Sequence, residues 1–179
     1  MAEARMAGAL QAYARLVHLW APKLDLVSEG DLERFEERHV RDSLRALPLL
    51  EDAPAGPFAD IGSGAGLPGI PLAIASGRFA RLVEPRRRRA AFLEECLRSL
   101  DLAGEVVAHS AQEMASDQAY ARAHPVVLAR ALAPPESALR LTVPLVAPGG
   151  VAVLFLGAGA KVPPGAEEWA QGIAIVRVE

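Results

Sequence analysis

The chain has 179 residues, which is enough for one domain with a substantial core and too few for two domains of ordinary size. Hydrophobic residues make up 51% of it and charged residues 23%, a balance that excludes an intrinsically disordered chain. The formal net charge of -3 excludes nucleic-acid binding through overall charge, so contact with a polyanion would need a local basic patch.

The cysteine content and the N-terminus bear on where the chain works. Cys96 is the single cysteine, which excludes an internal disulfide and an all-cysteine metal site and fits a reducing compartment. The acidic Glu3 and the absence of a long apolar segment argue against a signal peptide and a membrane span. We therefore expect a cytoplasmic protein without a metal and without a membrane contact, and a monomer.

The first fifty residues are predicted to be helical. Apolar residues recur at helical spacing up to Pro22, which is expected to interrupt the first helix: Leu10, Tyr13, Leu16, Val17 and Trp20. A second helix is predicted to begin at Asp31 as N-cap. Residues 1–52 are thus expected to form a helical cap on a single domain that spans residues 1–179.

From Pro57 onward, short apolar runs alternate with helical stretches, which is typical of βαβ units. Strands are predicted near 57–61, 80–84, 105–108, 125–129, 149–156 and 172–178. Helices are predicted near 68–77, 86–101 and 135–146, with a short helical turn around 111–115. The pattern predicts an α/β, Rossmann-like core over residues 53–179 with a doubly wound, mostly parallel sheet.

A glycine-rich loop follows the first predicted strand of this core. Gly62, Gly64 and Gly66 alternate where strand turns into helix, and glycine lets the backbone bend tightly and approach a ligand closely. The same segment also fits the G-x-G-x-x-G pattern of dinucleotide-binding proteins. Three features favour S-adenosylmethionine over a dinucleotide. Asp60 stands before the loop, no basic residues are placed to bind phosphate, and helices precede the loop in the chain.

A carboxylate, Glu84, ends the second predicted strand of the core. A carboxylate at this position can accept hydrogen bonds from both hydroxyls of an adenosine ribose. It would do the same for NAD, so Glu84 indicates an adenosine without identifying the cofactor.

Three local segments resemble the RsmG family, also called GidB, of 16S ribosomal RNA guanine-N7 methyltransferases. Residues 20–26 (WAPKLDL) resemble the family pattern W-N-x-K-x-N-L, and residues 37–44 (ERHVRDSL) resemble E-R-H-x-x-D-S-L. The loop at residues 62–72 (GSGAGLPGIPL) is nearly the same as the family's loop. The resemblance covers residues 10–157 and implies a class I S-adenosylmethionine-dependent methyltransferase fold.

The resemblance also implies a set of site residues. Asp60 and the glycine loop would hold the methionine end of the cofactor, Glu84 the ribose, and Ala111 with Gln112 would flank the adenine. Arg130, which matches an S-R-A-x-A segment of the family, would lie beside the transferred methyl group. The expected cofactor-binding residues are Asp60, Gly62, Ser63, Gly64, Gly66, Leu67, Glu84, Pro85, Ala111, Gln112 and Arg130.

No residue is predicted to be a catalytic base. His39 and Asp42 lie three residues apart on one helical face, so they and Arg130 are candidates for orienting groups. Guanine N7 carries a lone pair and no proton, so its methylation needs alignment and exclusion of water instead of a base. The expected partner is 16S ribosomal RNA or the small ribosomal subunit, and the cations expected to face its phosphates are Lys23, Arg41, Arg86, Arg87, Arg88, Arg89 and Arg130.

The sequence departs from the family pattern at several positions. Leu156 stands where the family has lysine after its fifth strand, and Ala21 and Asp25 replace two asparagines of the first segment. Beyond Lys161 we find a single strand candidate, so the sheet is expected to lack an edge strand. These departures leave three alternatives: a methyltransferase of this fold with another substrate, a cofactor-binding homologue with reduced or no activity, and a dinucleotide-dependent oxidoreductase.

Overall fold

The computed structural model describes residues 2–179 and contains one seven-stranded sheet. Its strands are β1 (Phe58–Ile61), β2 (Ala80–Val83), β3 (Gly104–Val107), β4 (His124–Arg130), β5 (Val146–Phe155), β6 (Glu167–Ala170) and β7 (Ile173–Arg177). The longer helices are α1 (Ala2–Leu24), α5 (Gly69–Ser76), α6 (Arg87–Ser99) and α8 (Pro135–Thr142). The shorter ones are α2 (Glu29–Leu32), α3 (Arg41–Leu44), α4 (Leu47–Asp52) and α7 (Ala111–Ser116).

The strand order across the sheet is β3-β2-β1-β4-β5-β7-β6. The first five strands of this order are parallel, and β7 pairs antiparallel with β5. The expectation of a missing edge strand is wrong, because Glu167–Ala170 forms β6 and pairs antiparallel with β7. The strand went unrecognised because its residues, Glu-Glu-Trp-Ala, are mostly exposed and do not alternate between apolar and polar.

Helices cover both faces of the sheet, as the continuous burial of β1 and β4 requires. On one face, Phe58, Leu82 and Leu128 pack against the N-terminal helices, α5 and α6. On the other face, Ala59 and Ile61 belong to a second cluster that includes Met114 of α7. The first cluster also includes Tyr13 and Val17 of α1, and α1 contacts both α5 and α6.

The N-terminal helices differ from the expected pair in two respects. The first helix does not stop at Pro22 but continues to Leu24, because a proline in the last turn disturbs few of the helix's backbone hydrogen bonds. The second region begins one turn earlier than expected, with Ser28 as N-cap: its hydroxyl accepts a hydrogen bond from the backbone of Asp31. It also contains a π-helical turn, Glu36–Val40.

Two structural features are absent from residues 2–179. Over that range, no helix is long and apolar enough to cross a bilayer. The described side chains also include no group of three or more histidine, cysteine or carboxylate residues arranged to hold a metal ion.

Candidate functional site

The candidate site lies where the strand order changes direction. From β1 the chain crosses to β2 on one side, and β4 later pairs with β1 on the other side. In open α/β sheets, such a switch point leaves a crevice at the carboxyl ends of the two central strands. Asp60, near the end of β1, and Arg130, at the end of β4, are both at this edge.

The glycine loop takes backbone conformations that require glycine. Gly62, Gly64 and Gly66 have φ angles of 73°, 55° and 93°, all in the region that other residues rarely adopt. A Cβ atom at Gly62 would lie 2.7 Å from Leu132, and one at Gly66 would lie 2.6 Å from Ile70. A Cβ atom at Gly64 would lie 3.8 Å from the carbonyl oxygen of Gly62 and 4.0 Å from Arg89 Nη1, which are ordinary van der Waals contacts, so only the φ angle requires glycine there.

Asp60 holds the loop from below. Its Oδ2 atom lies 2.8 Å from the Ser63 hydroxyl and accepts a hydrogen bond of 3.0 Å from the backbone N–H of Gly69. Its Oδ1 atom is buried and has no hydrogen-bond partner. Burial raises the pKa of this carboxyl to about 6, against the opposing effect of its hydrogen bonds from Ser63 and Gly69.

Glu84 closes the loop from the side of β2. Its Oε2 atom accepts a 3.0 Å hydrogen bond from the backbone of Gly64, and its Oε1 atom accepts one of 2.9 Å from the backbone of Arg86. The side chain is buried. Each oxygen of an ionised carboxylate can accept a second hydrogen bond, so Glu84 keeps acceptor capacity for a ligand hydroxyl.

Tyr13 of α1 also supports the loop, a role that no sequence pattern indicated. Its hydroxyl donates a hydrogen bond of 2.8 Å to the backbone carbonyl of Ala65. The side chain is fully buried, and burial raises the pKa of its hydroxyl well above the ordinary value. In the sequence, Tyr13 is indistinguishable from the other members of an apolar helical stripe.

The structure brings His39, Asp42 and Arg130 together, and we call these three residues the arginine clamp. Arg130 Nη2 lies 2.8 Å from His39 Nδ1, and Arg130 Nη1 lies 3.3 Å from Asp42 Oδ2. The guanidinium also stands 5.9 Å from the centre of the Phe155 ring. The clamp joins the N-terminal helices to the carboxyl end of β4.

Three buried side-chain atoms within residues 2–179 lack a hydrogen-bond partner: His39 Nε2, Asp60 Oδ1 and Arg130 Nη1. All three belong to residues of this one site. Unpaired polar atoms are rare in protein interiors, and each costs about 1–3 kcal/mol. Two of these atoms still have a carboxylate nearby: Asp42 Oδ2 lies 3.3 Å from Arg130 Nη1, and Asp31 Oδ1 lies 3.4 Å from His39 Nε2. The unpaired oxygen of Asp60 matches the ammonium of an amino acid, and the guanidinium of Arg130 matches its carboxylate.

The arginine run at residues 86–89 is partly committed to structure. Arg88 donates a 3.1 Å hydrogen bond to the carbonyl of Lys23, and Arg89 donates one of 2.6 Å to that of Asp25. Cations are favourable at a helix C-terminus, so these two side chains fasten the end of α1 to the start of α6. Arg86 and Arg87 are exposed.

The remaining expected site residues are spread along the same edge of the sheet. Ala111 and Gln112 begin α7, just beyond β3, where Ser110 and Glu113 form a capping box. Ala111 is buried against the core and Gln112 is exposed. Pro85 is exposed after β2, whereas the Leu67 side chain is buried in the core and does not face the crevice.

Comparison with known proteins then decides the family. The family model described as GidB, rRNA small subunit methyltransferase G, matches residues 6–164. The chain belongs to the GidB family. The match covers the glycine loop, the arginine clamp and Glu84, so it includes the whole candidate site.

Individual relatives agree with this assignment. Ribosomal RNA small subunit methyltransferase G from Granulibacter bethesdensis is 42% identical over 162 residues, covering 89% of this chain and 73% of that one. The protein of the same name from Acidiphilium cryptum is 40% identical over 167 residues, with the same coverage of both chains. A candidate S-adenosyl-L-methionine-dependent methyltransferase from Methanococcus maripaludis shares the fold, with a TM-score of 0.58, 16% identity and coverage of 82% of this chain and 63% of that one.

The fold class is therefore confirmed as that of the class I S-adenosylmethionine-dependent methyltransferases. Membership of the GidB family makes S-adenosylmethionine the cofactor. The dinucleotide-dependent oxidoreductase is excluded as an interpretation of the glycine pattern, which on its own fits both cofactors.

Proposed function

We propose that this chain transfers the methyl group of S-adenosylmethionine to N7 of a guanine in 16S ribosomal RNA, in the cytoplasm. The observation that carries the proposal is the pairing of the unpaired buried oxygen Asp60 Oδ1 with the guanidinium of Arg130, whose Nη1 atom has an ion pair with Asp42 and no hydrogen bond. A methionine ammonium would supply the donor that Asp60 lacks, and a methionine carboxylate would accept the hydrogen bond that Arg130 Nη1 does not make in the free chain. The names of the relatives, which specify the small-subunit RNA, support the substrate.

The other end of the cofactor would contact Glu84 and α7. Glu84 is held by the backbone N–H groups of Gly64 and Arg86, and its spare acceptor capacity suits the two ribose hydroxyls. Ala111 and Gln112, which follow the neighbouring strand β3 at the same edge of the sheet, would border the adenine. The lack of a side chain at Gly64 would let the cofactor approach the backbone closely.

When bound, the cofactor supplies an electrophilic methyl group on a sulfonium. The chain has to align guanine N7 with that group and keep water out, because the N7 lone pair attacks without loss of a proton. An apolar recess of about 80 Å³ lies beside the loop at the ends of β4 and β5, and its lining includes Leu132, Leu154 and Leu156. Since Leu132 also lies close to Gly62, this recess borders the glycine loop, and its apolar side chains would exclude water there.

Contact with RNA phosphates would depend on a local patch, since the chain as a whole is acidic. Lys23, Arg86 and Arg87 are exposed and line one surface depression together with Arg88 and Arg89. The latter two bind backbone carbonyls, so the patch is smaller than the run of four arginines suggests. Arg41 is exposed on α3, beside the arginine clamp.

Leu156 favours a second candidate, a methyltransferase of this family with another substrate. It follows β5, borders the recess and offers no cation where the family pattern has lysine. The cofactor-facing residues Asp60, Glu84 and Arg130 match the family pattern, so the departure concerns the substrate side alone.

The two candidates are separated by mapping the transferred group. The chain is incubated with S-adenosylmethionine labelled in its methyl group and with either protein-free 16S RNA or assembled small subunits, and nucleosides are then identified by mass spectrometry. We expect labelled 7-methylguanosine at a single position in at least one of the two substrates. Label on another atom or another base, or no label in either RNA, would overturn the guanine-N7 assignment.

A further inference from the structure

The arginine clamp fixes the protonation state of His39. An arginine guanidinium has donors and no acceptor, so His39 Nδ1, at 2.8 Å from Arg130 Nη2, must accept the hydrogen bond. A neutral imidazole that accepts at Nδ1 carries its proton on Nε2. This nitrogen points to Asp31, whose Oδ1 atom lies 3.4 Å away.

Charged groups on three segments face this imidazole. Arg130 lies on the side of β4, Asp31 on the side of α2, and Arg38 is next to His39 in the π-helical turn; the Phe35 ring is 5.8 Å away. Burial and then Arg130 lower the pKa of His39, while Asp31 acts in the opposite direction. Asp42 neutralises the other branch of the Arg130 guanidinium.

We infer that His39 is a positioning residue for Arg130, which it holds in place through Nδ1 only while its imidazole is neutral. A proton on Nδ1 would remove the acceptor and place a second positive charge 2.8 Å from the guanidinium. Arg130 would then lose the bond that fixes one of its two terminal nitrogens. The other nitrogen, Nη1, has the ion pair with Asp42 but makes no hydrogen bond, so it is the donor available to a ligand.

The inference rests on the proposed function at one point: Arg130 Nη1 donates a hydrogen bond to the carboxylate of the cofactor. A carboxylate and an RNA phosphate are both oxyanions, so two ligands are needed to distinguish them. S-adenosylhomocysteine has the amino-acid end, whereas 5′-methylthioadenosine lacks it and shares the adenosine. An effect of His39 on the first ligand and not on the second locates the contact at the carboxylate.

Two substitutions of similar size separate the acceptor from the space that the ring fills. His39→Asn places a carbonyl oxygen near the position of Nδ1 and does not titrate, whereas His39→Leu removes the acceptor. At pH 7.5 we expect His39→Asn to bind S-adenosylhomocysteine within about threefold of the unmodified chain, and His39→Leu about tenfold more weakly. Both variants should bind 5′-methylthioadenosine equally well, and thermal unfolding controls for stability.

The pH dependence gives the second readout. The affinity of the unmodified chain for S-adenosylhomocysteine should fall as the pH drops through the lowered pKa of His39. Asp60 also titrates in this range, since its pKa is about 6. The loss of affinity at low pH that persists in His39→Asn is therefore due to Asp60. The difference between the pH profiles of the unmodified chain and of His39→Asn is due to His39.

Nitrogen-15 NMR of the imidazole measures the tautomer directly and requires no cofactor. We expect a proton on Nε2 and none on Nδ1 at pH 7.5, and the His39→Asn spectrum identifies the signal. A protonated Nδ1, or equal affinities of His39→Asn and His39→Leu for S-adenosylhomocysteine, would overturn the inference. Failure of RNA methylation alone would overturn the proposed function and leave these readouts intact.

Discussion

A pair of glycine substitutions tests whether the cofactor lies against the backbone of the glycine loop at Gly64. Gly64 has φ of 55° and Gly77, which caps α5 far along the chain from the loop, has φ of 66°. A Cβ atom at Gly64 would meet nothing closer than 3.8 Å, and one at Gly77 would meet nothing within 4 Å. Replacing either residue by alanine therefore costs only the left-handed backbone conformation, about 1–2 kcal/mol.

We expect Gly64→Ala and Gly77→Ala to lower the free energy of unfolding, measured with urea, by similar amounts. Their affinities for S-adenosylhomocysteine should differ, because the methyl group at position 64 enters the space where the cofactor approaches the backbone. A steric penalty of about 2 kcal/mol corresponds to a loss of about 30-fold in affinity. Isothermal titration calorimetry measures both variants, and equal affinities would refute the placement of the cofactor at Gly64.

Three further predictions concern single side chains. Asp60→Asn should weaken S-adenosylhomocysteine binding by about tenfold or more in calorimetry, because a carboxylate for the ammonium is lost. The same change should not lower the free energy of unfolding at pH 7. Burial raises the pKa of Asp60 to about 6, so the ionised carboxylate is costly in the folded chain. A large drop in the free energy of unfolding would contradict this account. Leu156→Lys should steepen the salt dependence of RNA binding by about one unit of logarithmic slope in filter-binding assays, and an unchanged slope would place residue 156 away from the RNA. Burial lowers the pKa of His124 to about 4. The contribution of the neutral imidazole to stability is therefore complete above the ordinary histidine pKa of about 6.5 and declines as the pH falls towards 4. An NMR titration should show a neutral ring down to that pH, and titration of His124 near 6.5 would contradict this prediction.

The central part of the site follows from local patterns in the sequence. Short segments of sequence were enough to predict the glycine loop, Asp60 before it and Glu84 after the second strand. The alternation of strands and helices then places these segments along one edge of the sheet. His39 and Asp42 could be paired from helical spacing. Their contact with Arg130 was not predicted, because no local pattern relates residues so distant in the chain.

Other features depend on long-range packing and could not be predicted in this way. Tyr13 looks like a core residue until its hydroxyl is seen on the carbonyl of Ala65. Strand β6 is held by hydrogen bonds to β7, and its exposed residues carry no hydrophobic signal of their own. Arg88 and Arg89 looked like cations available to RNA, but their carbonyl partners on the first helix became visible only in three dimensions.

The central claim is that the cradle formed by Asp60, Gly64, Glu84 and Arg130 recognises both ends of S-adenosylmethionine. Equilibrium dialysis of the purified chain against S-adenosylmethionine, 5′-methylthioadenosine and NADH tests it most directly. We predict binding of S-adenosylmethionine, weaker binding of 5′-methylthioadenosine by about tenfold or more because the amino-acid contacts are missing, and no binding of NADH. Equal affinities for the first two ligands, or binding of NADH in place of S-adenosylmethionine, would contradict the claim.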